Sequence, residues 1–231
     1  MKKILLTLIT VLLLVGCGSP AATQTQGEKP TEEVVSESVE EVATLSELPD
    51  PIDTTKTYKP DKDSDPVACE AGVYSADCSS INASNLYEYL GREDVVYIDL
   101  RDYADYGQKH LKNFEVIPFF AYIYNPEVGT NPDMIQLYGG DLSDPVSNYE
   151  ESDMLLEAIF PKDKPLFIMC QVGGRVTMLL KILEAKGYDM SKIYNIGGMG
   201  QLTDGVYKEY TTDTLEFKVD AVYSIEGLSK N

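Results

Sequence analysis

The stretch from Pro165 to Gly187 constrains the fold more than any other. Pro165-Leu-Phe-Ile-Met169 is an apolar run of strand length, and Cys170 closes it. Gly173 and Gly174 follow. Between Arg175 and Lys186, Val176, Leu179, Leu180 and Leu183 then recur at i, i+3, i+4 and i+7. The first pattern is a buried strand; the second is a helix with one apolar face, stopped by Gly187. A strand that is apolar throughout is covered on both faces, which is the signature of a parallel sheet.

The same change of period recurs along the chain. Asn82–Leu90 reads as a short helix capped by Asn82, with Leu86, Tyr89 and Leu90 on one face. Val95–Leu100 is a buried-type strand, Val116–Phe120 a second, and Lys192–Ile196 another, closed by Gly197 and Gly198. Ser152–Phe160 reads as a helix capped by Ser152, and Leu215–Val219 is a candidate strand near the end. This alternation predicts an α/β fold with a mostly parallel central sheet. Between Phe119 and Glu150 the periodicity is lost among prolines and glycines. An insertion of about 119–150 is either a lid over a site or surface decoration.

The chain begins Met1-Lys2-Lys3, and Ile4–Val15 is then apolar except for Thr7 and Thr10. That run is too short to span a bilayer but suits a signal peptide. Leu14-Val15-Gly16-Cys17 resembles the bacterial lipobox, whose cysteine is acylated and becomes the mature N-terminus. The resemblance implies a signal peptide at 1–16 and a palmitate-type anchor on Cys17. It places the chain at the cell membrane, facing outside the cytoplasm. A plain signal peptide with an incidental cysteine is the alternative. Residues 17–66 are rich in Glu, Thr, Ser, Pro and Ala, with no aromatic before Tyr58. Such a segment buries too little apolar surface to order itself and reads as an acidic, flexible tether. The folded domain is then expected at 67–231.

Charge and ligand chemistry exclude several classes. Lys+Arg 19 against Asp+Glu 38 gives a net charge of -19, which provides no surface for nucleic acid. One histidine and no close Cys/His cluster predict no metal site, and no cofactor is expected. Cys69 and Cys78 enclose a short segment containing Gly72. Outside the cytoplasm such a pair suggests a disulfide, with a free or resolving thiol pair as the alternative.

The chemistry concentrates at Cys170-Gln171-Val172-Gly173-Gly174-Arg175. A cysteine at the carboxyl end of a buried strand, followed by glycines and a helix, lies where open parallel sheets collect ligands. The glycines let backbone N–H groups turn inward at a helix N-terminus, a cradle for negative sulfur or an oxyanion. Arg175 offers a charged partner to such a group.

This loop, read as C-x-x-G-x-R, resembles the active-site loop of the rhodanese family. Further segments match in order: Asn82–Leu90, then Val95-Val-Tyr-Ile-Asp99-Leu-Arg101, then Tyr106-Gly-Gln-Lys-His110-Leu111, then Ile193-Tyr-Asn-Ile-Gly197-Gly198. The resemblance covers roughly Ile81 to Leu202. It implies a rhodanese-like three-layer fold, a mostly parallel sheet with helices on both faces, and a sulfurtransferase. In that chemistry Cys170 takes sulfane sulfur from a donor such as thiosulfate as a persulfide, then yields it to a thiophile. Gln171, Val172, Gly173, Gly174 and Arg175 would bind the substrate, a small sulfur-containing anion or thiol acceptor. Phosphatases and arsenate reductases of this fold need a longer loop than the four residues between Cys170 and Arg175. Gln171 stands where thiosulfate-using relatives often carry Arg. A non-catalytic binding module and a thiol-redox partner are the competing functions. Asp99 and Arg101 read as a structural ion pair, His110 as a packing or hydrogen-bonding residue, and Gly197 and Gly198 as turn residues that line the site with backbone alone.

Overall fold

A computed structural model describes residues 46–213 and 224–231. The lipobox, most of the tether and the expected strand at Leu215–Val219 lie outside the described residues. The compact unit is Ser46–Asn231. Folded chain thus starts some way before the expected boundary at 67. The reason is packing: β1 (Thr57–Tyr58) pairs antiparallel with β2 (Val67–Ala68), and Ile52 bridges to Ser79. Leu48 packs on the core, and the Tyr194 hydroxyl donates to the Pro49 carbonyl at 2.6 Å.

The sheet is parallel throughout, in the order β5 (Glu115–Val116), β3 (Val96–Asp99), β8 (Leu166–Cys170), β9 (Ile193–Gly198). Alternation of side chains along β8 divides the core. Leu166, Ile168 and Cys170 face one layer, with α2 (Ser152–Ile159) and α3 (Gly174–Ala185); Phe167 and Met169 face the other. That second layer is built from short pieces, the turns of 3₁₀ helix at Leu86–Glu88 and Gly205–Glu209. β4 (Lys109–Leu111), which follows α1 (Tyr103–Gln108), pairs antiparallel with β10 (Thr211–Asp213). The fold is therefore α/β with a central parallel sheet and helices, as its periodicity predicts.

Three local expectations are corrected. The helix expected at Asn82–Leu90 shrinks to one 3₁₀ turn. Asn82 Oδ1 accepts from the Ser84 N–H, and the Asn82 and Asn85 amides donate to the Ser79 and Ser80 carbonyls, so side chains take the bonds a helix would use. The strand expected at Val116–Phe120 ends at Val116, because Pro118 supplies no N–H and the chain turns into a π-helical segment at Phe119–Ile123. Ser152 is not a cap: it lies inside α2, fully buried, accepting from the Tyr149 N–H and donating to the Leu137 carbonyl. The 119–150 insertion is ordered around a hairpin of β6 (Tyr138–Asp141) and β7 (Asp144–Ser147). The Tyr138 hydroxyl and the Lys186 ammonium both bind Asp153 Oδ1, at 2.7 and 2.8 Å, fastening the hairpin to α2 and α3.

Candidate active site

Cys170 ends β8 opposite Gly198 of β9, after a register shift. Its backbone is clamped from that side. Met199 N–H donates to the Cys170 carbonyl at 3.1 Å and Gly200 N–H to the Gln171 carbonyl at 2.9 Å. A side chain at Gly198 would overlap the backbone of Cys170 and Gln171, so glycine is needed for this close approach. Gly197 and Gly198 thus end β9, and Gly198 meets the loop with backbone alone.

Beyond the clamp the loop turns at Gly173, whose φ of 94° is left-handed. That conformation aims the Gly173 N–H at Cys170 Sγ, 3.2 Å away, and starts α3 at Gly174. Among the described residues the Gly173 amide is the hydrogen-bond donor to this sulfur, a narrower cradle than a full ring of amides. Cys170 itself is buried, 2% exposed, beneath a loop whose Gln171, Val172 and Gly174 face solvent. Arg175 is half-buried, and its Nη1 donates to the Leu100 carbonyl at the end of β3, 3.2 Å away. The six candidate residues are therefore brought together on one strand–loop–helix junction.

The support beneath the loop includes residues that motif reading passed over. Asn195, buried within β9, donates from Nδ2 to the Gly173 carbonyl at 3.1 Å and the Tyr74 carbonyl at 2.8 Å. Its Oδ1 accepts from the Gly197 N–H. Thr177 Oγ1 donates to the same Tyr74 carbonyl at 2.8 Å. The signal available in the sequence was a lone amide inside the apolar run Ile193-Tyr-Asn-Ile196, since a buried polar group has to be bonded to something. Tyr74 belongs to the segment enclosed by Cys69 and Cys78, which are joined as a disulfide with Cα atoms 5.5 Å apart. The resulting ring of chain lies against the 170–175 loop and the start of α3.

Asp99 and Arg101 are both buried and form a forked pair, with Nη2 to Oδ2 at 2.7 Å and Nε to Oδ2 at 2.9 Å. Burial pushes the Asp99 carboxyl above its ordinary value, and the Arg101 fork opposes that rise. Arg101 Nη2 also donates to the Lys109 carbonyl at 2.7 Å, tying β3 to β4. His110 stacks on Tyr106 with centroids 3.8 Å apart and bonds through Nδ1 to the Tyr106 carbonyl. Both arrangements are structural. Among the described residues there is no cluster of His, Cys, Asp and Glu able to hold a metal ion.

No curated protein matches this sequence significantly. The family model described as the rhodanese-like domain matches residues 82–202, more than half of the chain and the span that carries β3, the Cys170 loop and β9. On that match and this architecture, the chain belongs to the rhodanese-like domain family.

Proposed function

We propose that this protein is an envelope-anchored sulfurtransferase that carries sulfane sulfur on Cys170. The observation that supports it best is the Gly173 N–H aimed at Cys170 Sγ at 3.2 Å. A donor placed in the helix N-terminus gives negative charge on sulfur a fixed partner that need not reorganise during reaction. In the first half-reaction Cys170 thiolate attacks the sulfane sulfur of a donor. The new Sγ–S bond forms as the donor's bond to that sulfur breaks, and the donor leaves with the electron pair. In the second half a thiophile attacks the outer sulfur, its bond to that sulfur forms as the Sγ–S bond breaks, and Cys170 leaves as thiolate. No external oxidant enters. Gln171, Val172, Gly173, Gly174 and Arg175 line the place where the transferred group sits.

The N-terminal run and Gly16-Cys17 support lipid attachment at Cys17 after removal of residues 1–16, with the domain outside the cytoplasm. No helix among the described residues is long and apolar enough to cross a membrane. The burial of Cys170 favours one alternative, a binding module that holds a partner or anion without turnover. A thiol-redox role lacks support from the cysteines, since Cys69 and Cys78 are bonded to each other.

Intact mass of the full chain in detergent, after incubation with sulfane donors, separates these readings. A gain of one sulfur that vanishes in Cys170→Ser is the expected result. No gain with any donor leaves the binding module. Acyl labelling lost in Cys17→Ala tests the anchor.

A further inference from the structure

We propose that Asn195 is a positioning residue for the chemistry of Cys170: it holds Gly173 in the backbone conformation that points its N–H at the sulfur. The inference rests on the sulfur-transfer reading above and adds to it a residue that acts through the loop.

Asn195 is an amide in the middle of an apolar strand. It is 4% exposed within β9, between Tyr194 and Ile196. A buried carboxamide has two hydrogens to give and an oxygen to satisfy. Nδ2 donates to the Gly173 carbonyl at 3.1 Å and to the Tyr74 carbonyl at 2.8 Å. Oδ1 accepts from the Gly197 N–H at 3.1 Å. These partners fix which way the amide faces, because turning it over would set Oδ1 against two carbonyl oxygens.

The Gly173 carbonyl is the point of control. It accepts from the Thr177 N–H at 3.0 Å, in the first turn of α3, and from Asn195 at 3.1 Å. The first bond ties the carbonyl to the helix and the second ties it to the sheet. Together they fix the peptide that follows Gly173. The φ of 94° then sets the direction of the preceding N–H, 3.2 Å from Cys170 Sγ. A glycine has no Cβ to restrict this angle, so its neighbours have to do so. Without the bond from the sheet, Gly173 can leave the angle and its N–H leaves the sulfur with it.

Asn195 is held in turn from outside the rhodanese-like span. Tyr74 lies upstream of residues 82–202, in the segment closed by Cys69 and Cys78. Its carbonyl accepts from Asn195 Nδ2 and from Thr177 Oγ1, both at 2.8 Å. One upstream carbonyl therefore locks together the strand residue and the helix residue that both bond to Gly173.

The test uses the full chain in detergent at neutral pH and reads two rates at Cys170 by mass. One is alkylation by iodoacetamide, a neutral reagent; the other is gain of one sulfur from inorganic polysulfide. Asn195→Leu keeps most of the volume and removes the donor. Both rates should fall roughly tenfold, the size of effect that a hydrogen bond to a charged group carries. A merely structural role predicts the opposite sign for alkylation, since a looser loop uncovers a thiol that is 2% exposed in the parent. Tyr138→Phe controls for lost stability. It removes a bond to Asp153 on α2, outside the 170–175 loop, and should leave both rates unmoved. If the leucine variant does not fold, Asn195→Ser serves, because its shorter side chain draws the donor back from the Gly173 carbonyl. Either rate at or above the parent's in a folded variant overturns this inference and leaves sulfur transfer standing. A parent chain that alkylates at Cys170 but gains no sulfur overturns sulfur transfer itself and this inference with it.

Discussion

Replacing Gly173 by alanine adds one methyl to a backbone held at φ 94°. An L-residue pays about 1–2 kcal/mol in that left-handed region. The new Cβ would also lie 2.7 Å from Ala76 Cβ and 3.1 Å from Asn195 Oδ1. Ala76 sits inside the disulfide-closed segment and Asn195 inside β9, so neither yields freely, and overpacking of this kind adds about 1–3 kcal/mol. The expected loss is about 2–5 kcal/mol. Gly174 is the internal control. It has ordinary φ and nothing within 4 Å of its notional Cβ, and it opens α3. Alanine there should stabilise by about 0.5–1 kcal/mol through the unfolded chain. Urea unfolding of both variants measures the difference, with the slope of the transition checking that two-state behaviour is kept. A Gly173→Ala variant within about 0.5 kcal/mol of the parent, or two glycine variants that behave alike, refutes the steric account of the loop.

Three other outcomes follow from the same geometry. Arg101→Ala strands the Asp99 carboxylate in the core and should cost about 3–5 kcal/mol in chemical denaturation, whereas Lys162→Ala, removing an exposed partner of Glu157, should cost under about 1 kcal/mol. Replacing both Cys69 and Cys78 by serine should cost about 2–3 kcal/mol for a bridge of sequence separation 9, seen as a lowered denaturation midpoint. Burial alone would raise the Asp153 carboxyl, but hydrogen bonds from Lys186 and Tyr138 outweigh it and hold the group below its ordinary value of 3.8. Its contribution is therefore present above that value and lost as pH falls through the lowered one. Asp153→Asn should flatten the acid limb of a stability-versus-pH curve, and an unchanged limb counts against the Asp153 network.

Periodicity was a good guide wherever a segment buried a regular face. Leu166–Cys170 and Gly174–Ala185 fall where the apolar run and the heptad-like spacing of Val176, Leu179, Leu180 and Leu183 put them. It failed where side chains competed with the backbone, as at Asn82 and Asn85, because local Asx bonding has no signature in apolar spacing. The tether boundary was misplaced for a related reason. Residues 46–66 are polar in composition, yet Leu48 packs on a core made elsewhere in the chain and Ile52 bridges to Ser79. At the site, Cys170, Gly173 and Arg175 were legible because a tight strand-to-helix turn restricts residue type. The contacts of Asn195, Thr177 and Tyr74 were not, because they join segments separated by 103 and 121 residues.

The bond between Cys69 and Cys78 reaches, through the chain it closes, to the loop that carries Cys170. The segment it closes supplies the Tyr74 carbonyl on which Thr177 and Asn195 both lean, and Ala76 fills the space that Gly173 leaves empty. The pocket for one cysteine is finished by the pairing of two others. With the outer thiols reduced, the covalent tie behind that brace is gone, so the hold on the Cys170 loop depends on the redox state of two cysteines that lie outside it.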